Sequence, residues 1–369
     1  MAKQLLDYVN FKRPTTMLFN KLLVQLMLLA STVLLEPVVA QDAPEPEQAL
    51  RNFGISASQI PQLERGEIIS YDVAETSQKE LAIGVAMLMP VPLAKIGDYI
   101  KRGNLSLTDS DVIATGLLPA KVDVGSLKKF AFTVKQLDEA KAFLSAEDGD
   151  EFNLSKDELA ALKNLQAGLE DADNKTVLKT ANQTYQEFLL QRLQAYRKSG
   201  LGGIAAYSRA DGVADSAAEL RTDAINSKAW AGYFPELQQV WLNYPASLPA
   251  KTSEQFVWLN RRVEDRPTAI LNHRIITSSD AGGLIVSRQF YVGHSYNSSQ
   301  VVAGGLPYKD GTLVFYSTRS STDQVAGIGS SLKHSIGREQ MKKEMIKRLQ
   351  RLNKDLKRKP AEVAEELPK

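Results

Sequence analysis

The final third of the chain consists of apolar–polar runs of strand length that are separated by short polar turns. Alternation of this kind is typical of half-buried β-strands, because successive side chains point to opposite faces of a sheet. It predicts strands over residues 256–263, 268–277, 283–296, 300–306 and 312–319. The turns between them are too short for crossover connections, so the strands are expected to be antiparallel neighbours.

A helical pattern follows these strands. Met341, Met345, Leu349, Leu352 and Leu356 recur at intervals of three or four residues, which places them on one side of a helix over about residues 337–357. The opposite side of this helix is basic. The C-terminal part of the chain is therefore predicted to be an antiparallel sheet packed on a long amphipathic helix.

The beginning of the folded region has a shorter strand–strand–helix pattern. Residues 67–73 alternate as a strand, and the apolar run 80–89 is best read as a buried strand, although its Ala and Met residues also allow a helix. Pro92 suits the first turn of a helix that Gly103 ends. The middle of the chain is largely helical, with a capping box formed by Ser155 and Glu158.

Together these patterns predict an α+β fold with one main domain over residues 64–360. The helical block at about 145–245 is predicted to be an insertion into this domain, and whether it forms a lid or a separate lobe stays open. Residues 41–63 are acidic and rich in proline, which indicates a flexible leader. The tail at 361–369 is expected to be loose.

Residues 17–40 have the pattern of an export signal. Lys21 supplies a positive charge, residues 22–35 form an apolar core, and Ala40 is the small residue that precedes a cleavage site. The core is short for a membrane span, which needs about 20 apolar residues, but an uncleaved anchor is the alternative. The interpretation is a protein of the periplasm of a Gram-negative bacterium, or a secreted one.

Composition narrows the classes of function. The 369-residue chain has no cysteine, which excludes disulfides, thiol catalysis and Cys-ligated metals. The net charge is +2, but residues 333–359 hold eleven basic and three acidic side chains. Residues 337–359 are therefore expected either to dock on the acidic remainder of the protein or to meet an anionic membrane. Nucleic acid is not expected as a partner, because the basic residues are not interleaved with aromatic ones.

The order of elements resembles the helix-grip fold of START-like and pollen-allergen-like lipid-binding proteins. The matching segments are KELAIGVAMLMPVPLAKIGDYIK at 79–101 and the strands and helix from 256 to 356. The resemblance implies an apolar cavity between a curved sheet and the last helix. It also implies a non-catalytic binding or carrier protein for a hydrophobic or amphipathic ligand such as a lipid. The family has no shared catalytic motif that could be transferred to this sequence. An envelope interaction protein that uses the basic helix is the alternative.

One face of the predicted strand 283–296 mixes apolar residues with charged ones, as the wall of a ligand pocket does. The candidate ligand-binding residues are Val286, Arg288, Phe290, His294 and Tyr296 on this strand, with Tyr316 and Arg319 on a later one. Arg319 and its neighbouring hydroxyls suit a carboxylate or phosphate head group. The alternative is that Arg288 and His294 lie at strand ends or pair with carboxylates.

Catalytic and metal chemistry have weaker support. His273, His294 and His334 lack the close spacing of metal ligands, so no metal site or cofactor is expected. Ser331 and His334 lie within one helical turn, which makes a hydrolase the third hypothesis. The alternative for this segment is a Gly/Ser loop that leads into the last helix, with Ser335 as its N-cap.

Overall fold

The computed structural model describes residues 45–102, 108–227 and 234–357, which form an α+β fold. Its strands are β1 Ile69–Asp72, β2 Glu80–Met89, β3 Val112–Leu118, β4 Tyr207–Arg209, β5 Gly212–Ala214, β6 Thr252–Val263, β7 Arg266–Ser279, β8 Gly282–Val292, β9 Ser298–Tyr308 and β10 Gly311–Ser321. Its α-helices are α1 Pro46–Asn52, α2 Ile60–Glu64, α3 Leu93–Lys101, α4 Leu137–Leu144, α5 Lys156–Gln166, α6 Asn174–Ser199, α7 Ser216–Asn226, α8 Pro235–Leu242 and α9 Ser330–Lys357.

Eight strands form one sheet in the order β1-β2-β10-β9-β8-β7-β6-β3, and every neighbouring pair is antiparallel. The five consecutive strands β6–β10 are joined by tight hairpins, as the short turns predict. The predicted α+β class and the antiparallel C-terminal sheet are confirmed.

Helix α9 packs on one face of this sheet, which confirms the predicted helix-grip-like arrangement. Met345, Leu349, Leu352 and Leu356 are buried against strands β2, β7, β8 and β10 and against α3. The helix starts at Ser330, seven residues before the predicted start, so Ser335 lies inside it and is not its N-cap. The residues of the first two turns are largely exposed. An apolar stripe marks only the part of a helix that is buried, so the sequence pattern did not include these turns.

The other face of the sheet is also covered. Helix α6 buries Leu189, Leu193 and Tyr196 against Trp258 and Phe290 of strands β6 and β8. Helices α1, α2 and α8 pack on the same face, nearer β9 and β10. The helical block between β3 and β6 therefore lies on the face of the sheet that α9 does not cover.

The predicted flexible leader at 41–63 is wrong where the structure describes it. Residues 45–63 include α1 and the first four residues of α2, and Leu50, Phe53 and Ile55 are buried in the core beside the sheet. Pro46 and Pro61 occupy the first turns of these helices, where proline is tolerated. The predicted export signal and the predicted tail at 361–369 lie outside the described residues. None of the described helices combines the length and the apolar character that crossing a membrane requires.

Candidate functional site

A cavity of about 1180 Å³ lies between the sheet, helix α3 and helix α9. Its floor is the sheet face that α9 covers, where strands β6 to β10 contribute alternate side chains. Its volume exceeds the several hundred Å³ that small-molecule pockets usually have. The cavity is therefore large enough for a ligand of lipid size.

The floor has a polar half. Antiparallel pairing aligns Ser320, Ser299, Gln289 and Asn272 in one row across β10, β9, β8 and β7. The next row is Thr318, Val301, Ser287 and Arg274. These residues all line the cavity, and Val301 is the apolar member. The Ser287 hydroxyl donates to Asn272 Oδ1 at 2.8 Å, so part of this half is internally hydrogen-bonded.

The floor also has an apolar half. The third row is Tyr316, Ala303, Ile285 and Ile276, and the fourth includes Val314, Gly305 and Gly283. Leu93 of helix α3 packs on these glycines, and a Cβ on Gly305 would lie 2.8 Å from Leu93 Cδ1. Met345 and Leu349 of α9 line the cavity opposite this floor.

Arg274 is the buried charge on the polar half of the floor. Its side chain lines the cavity but the residue is only 6% exposed. Burial lowers the pKa of Arg274 to about 10, and Tyr316 partly opposes this shift. A pKa of that size leaves the guanidinium protonated at neutral pH.

A second charged cluster joins α9 to strand β6. Asp109 accepts hydrogen bonds from Arg348 of α9 and, at 2.8 Å, from Nε of Arg261. Burial opposes ionisation of Asp109, but the two guanidinium groups outweigh it and hold the pKa of this carboxyl below its ordinary value. Arg348 also donates to the Tyr316 hydroxyl at 3.2 Å, so this cluster reaches the cavity.

Two of the predicted ligand-binding residues line the cavity. Tyr316 lies on the floor beside Ala303, and the hydroxyl of Tyr296 donates to Gln289 Oε1 at 2.6 Å. The structure thus brings both tyrosines to one site with the polar rows.

The predicted placement of Val286, Arg288 and Phe290 in a pocket wall is wrong. All three face the helical block, where Arg288 is fully buried and donates to the Tyr196 hydroxyl and the Trp241 carbonyl at 3.1 Å. The reason is that both faces of the sheet are buried, so a mixture of charged and apolar residues does not identify the face that borders the cavity. A β-bulge on β8 then changes the alternation, because Gln289 pairs with Asn272 and Tyr291 with Leu271, which leaves Phe290 as an extra residue. Simple alternation fails beyond this point.

Arg319 and His294 are also not part of the cavity lining, so the prediction for them is wrong. Arg319 points to the face that the helical block covers and forms a buried ion pair with Glu80. It lies three residues from Tyr316 on one strand, so the two side chains face opposite ways. The ring of His294 is buried with Nε2 2.7 Å from Thr268 Oγ1.

Sequence reasoning missed Asn272, Arg274, Ser287 and Gln289. Each alternates with a residue that is also buried, such as His273 or Arg288, so hydropathy did not separate the two faces. The available signal was the recurrence of polar residues at every second position of two consecutive predicted strands.

The hydrolase hypothesis gains no geometric support. Nδ1 of His334 lies 2.9 Å from Glu75 Oε2 and Nε2 lies 2.9 Å from the Gln78 carbonyl, so both ring nitrogens already contact acceptors. Among the residues in the described ranges, no group of three His, Asp or Glu side chains is arranged to hold a metal ion.

Comparisons with known proteins do not assign the chain to a family. No protein-family profile and no curated protein matches the sequence. The crystal structure of the di-domain ARO/CYC StfQ from the steffimycin biosynthetic pathway is similar with a TM-score of 0.23 and 11% identity, over 73% of this chain and 96% of that chain. A TM-score this low carries no argument about function.

Proposed function

We propose that the chain is a START-like, helix-grip protein that binds or carries a hydrophobic or amphipathic ligand such as a lipid, without changing it chemically. The observation that carries this proposal is the cavity between α9 and the sheet, with its apolar and polar halves. The proposed place of action is the cell envelope or the exterior, on the pattern of residues 17–40.

Filling the cavity tests this proposal. Ala303 lies in the apolar half of the floor beside Ile285 and Tyr316, so Ala303→Trp places a large ring where the ligand is proposed to lie. We expect the variant to bind the neutral probe N-phenylnaphthylamine at least roughly tenfold more weakly, because the apolar contact area is occupied. Fluorescence titration measures this change.

Val213→Trp is the matched control, because Val213 is 53% exposed on the small β4–β5 hairpin, outside the cavity lining. It should bind the probe as the unaltered protein does. Equal binding by the Ala303→Trp variant with an unchanged circular dichroism spectrum would contradict the proposal. Mass spectrometry of organic extracts from detergent-free protein then identifies the class of any co-purified ligand.

A second candidate function is attachment to an anionic membrane through helix α9. Leu332 and Ile336 lie one turn apart on α9, Ile328 lies in the turn before it, and all three are more than 60% exposed. The exposed lysines Lys343, Lys347, Lys354 and Lys357 continue along the helix. Exposed apolar residues beside lysines match the boundary between acyl chains and anionic head groups.

We expect the protein to bind vesicles of phosphatidylcholine mixed with phosphatidylglycerol and not vesicles of phosphatidylcholine alone. A Lys343→Ala/Lys354→Ala variant should bind roughly thirtyfold more weakly, since each lysine near such a surface contributes about 1 kcal/mol. Lys163→Ala on helix α5 is the control and should have no effect. Cosedimentation at increasing salt measures the binding, and salt-independent binding would rule out the electrostatic part.

A further inference from the structure

We propose that the ligand is an amphiphile with a single carboxylate head group, which Arg274 receives while the tail lies over the apolar half of the floor. This inference rests on the proposed binding function and adds the class and the direction of the ligand. Its basis is the juxtaposition of one buried guanidinium with two polar rows, on a floor whose third and fourth rows are mostly apolar.

The polar rows surround Arg274 with groups that donate and accept hydrogen bonds. Ser287 is its direct cross-strand partner, and Asn272 precedes it on the same face of β7. Gln289 lies opposite Asn272, with its Oε1 accepting from Tyr296. A guanidinium presents paired donors that match the two oxygens of a carboxylate, and hydroxyl and amide groups beside it suit the same head group.

The other charges near this end of the cavity largely balance one another. Asp109 neutralises part of the charge of Arg261 and Arg348, and Asp111 lies 3.5 Å from Arg261. Arg274 adds a further positive charge on the floor, and burial lowers the pKa of its guanidinium. A carboxylate beside this guanidinium would favour its charged form, because opposite charges in a buried site stabilise each other.

Tyr316 is hydrogen-bonded to one of the arginines that line the cavity. Its hydroxyl accepts a hydrogen bond from Arg348, and its phenol group raises the pKa of both Arg348 and Arg274. Tyr316 therefore marks the boundary of the polar and apolar halves, with the Arg348 guanidinium against its hydroxyl. The buried Nε of Arg348 finds no acceptor within the described part of the chain.

Beyond this boundary the centre of the floor is apolar. Ile276, Ile285 and Ala303 form the floor, and Met345 and Leu349 of α9 face them. A hydrocarbon tail in this half loses contact with water without leaving polar groups unpaired. In the orientation that we infer, the head group therefore lies at Arg274 beside the polar rows, and the tail extends toward α3 over the apolar rows.

The experiment measures displacement of N-phenylnaphthylamine from the full chain by three ligands with the same sixteen-carbon tail: hexadecanoate, hexadecanol and hexadecyl phosphate. We expect hexadecanoate to bind roughly tenfold or more tightly than hexadecanol, as charge-assisted hydrogen bonds allow. Hexadecyl phosphate distinguishes a fatty acid from a phospholipid-type head group and should bind more weakly than hexadecanoate. Tighter binding of the phosphate would overturn the carboxylate assignment.

Arg274→Gln should remove the preference for hexadecanoate while hexadecanol binds as before, and Arg274→Lys should restore part of it. Arg65→Gln, an exposed arginine paired with Glu67, is the control for loss of a positive charge. Hexadecanol binding reports whether each variant is folded. An unaltered protein that binds the acid and the alcohol equally would overturn the head-group inference alone. A protein that binds neither ligand nor the probe would overturn the proposed function itself.

Discussion

Arg192→Ala is expected to lower the free energy of unfolding by about 3–5 kcal/mol. Arg192 of helix α6 holds Glu158 of helix α5 through two hydrogen bonds, of 2.7 Å from Nε and 2.5 Å from Nη2, and both side chains are less than 10% exposed. The guanidinium also lies 4.5 Å from the ring centre of Tyr291 on strand β8. Removing it leaves the Glu158 carboxylate buried without its cation.

Chemical denaturation of the variant measures this loss. Glu158 also caps helix α5, because its carboxylate accepts from the Ser155 backbone N–H at 2.7 Å. The Glu158 side of the pair is therefore tested with Glu158→Gln, since glutamine can keep this cap. The double variant Arg192→Met/Glu158→Gln should recover much of the loss, since no charge is then buried alone.

Arg51→Ala is the matched control. Arg51 pairs with Glu47 at 3.7 Å, and both side chains are more than half exposed. Exposed pairs contribute between about 0 and 1 kcal/mol, so this variant should stay within that range. Similar losses for Arg192→Ala and Arg51→Ala would show that the buried Arg192–Glu158 pair contributes no more to stability than an exposed pair.

The second large expected effect is that the two buried histidines, His273 and His294, make the free energy of unfolding depend on pH. Burial lowers the pKa of His273 to about 4, partly opposed by Glu254, and burial together with the charge of Arg266 lowers that of His294 to about 4. The unfolded chain keeps the ordinary value near 6.5 and therefore binds more protons between pH 6.5 and pH 4. Stability from each neutral histidine is complete above pH 6.5 and is lost as the pH falls toward 4, by about 2 kcal/mol between pH 7 and pH 5.

Other titratable groups also change the free energy of unfolding with pH. The contribution of one histidine is therefore measured as the difference in that free energy between the unaltered protein and its variant. Burial raises the pKa of Asp223 and of Glu219, and these carboxyls add stability as the pH falls. The free energy of unfolding of the unaltered protein minus that of His294→Asn should therefore decrease by about 2 kcal/mol from pH 7 to pH 5. The same applies to His273→Asn. A difference that does not change with pH would show that the histidine is not held neutral.

The strands and the last helix could be predicted because each buries a regular stripe. Alternation defines β6 to β10, and the spacing from Met341 to Leu356 defines most of α9. Helices α1 and α2 were missed because they are short and begin at prolines in an acidic segment, and their burial depends on the sheet. Local sequence carries no sign of such long-range packing.

The site was predicted only in part, for two physical reasons. Both faces of the sheet are buried and both mix polar with apolar residues, so Arg288 and Arg274 look equivalent in the sequence. The bulge at Phe290 then reverses the alternation for the residues that follow it, so Tyr296 lies with the cavity although Arg288, which precedes the bulge, faces α6 and α8. Only the pairing of strands reveals either fact.

Strand β7 carries cavity residues and core residues at alternate positions. Asn272, Arg274 and Ile276 border the cavity, whereas His273 and Ile275 lie in the cores beneath the helical block. In a scan of every substitution along this strand, the even positions should change ligand selection and the odd ones the yield of folded protein. Neighbouring residues on one strand can thus vary under different selective pressures, and the ligand can be altered without rebuilding the core.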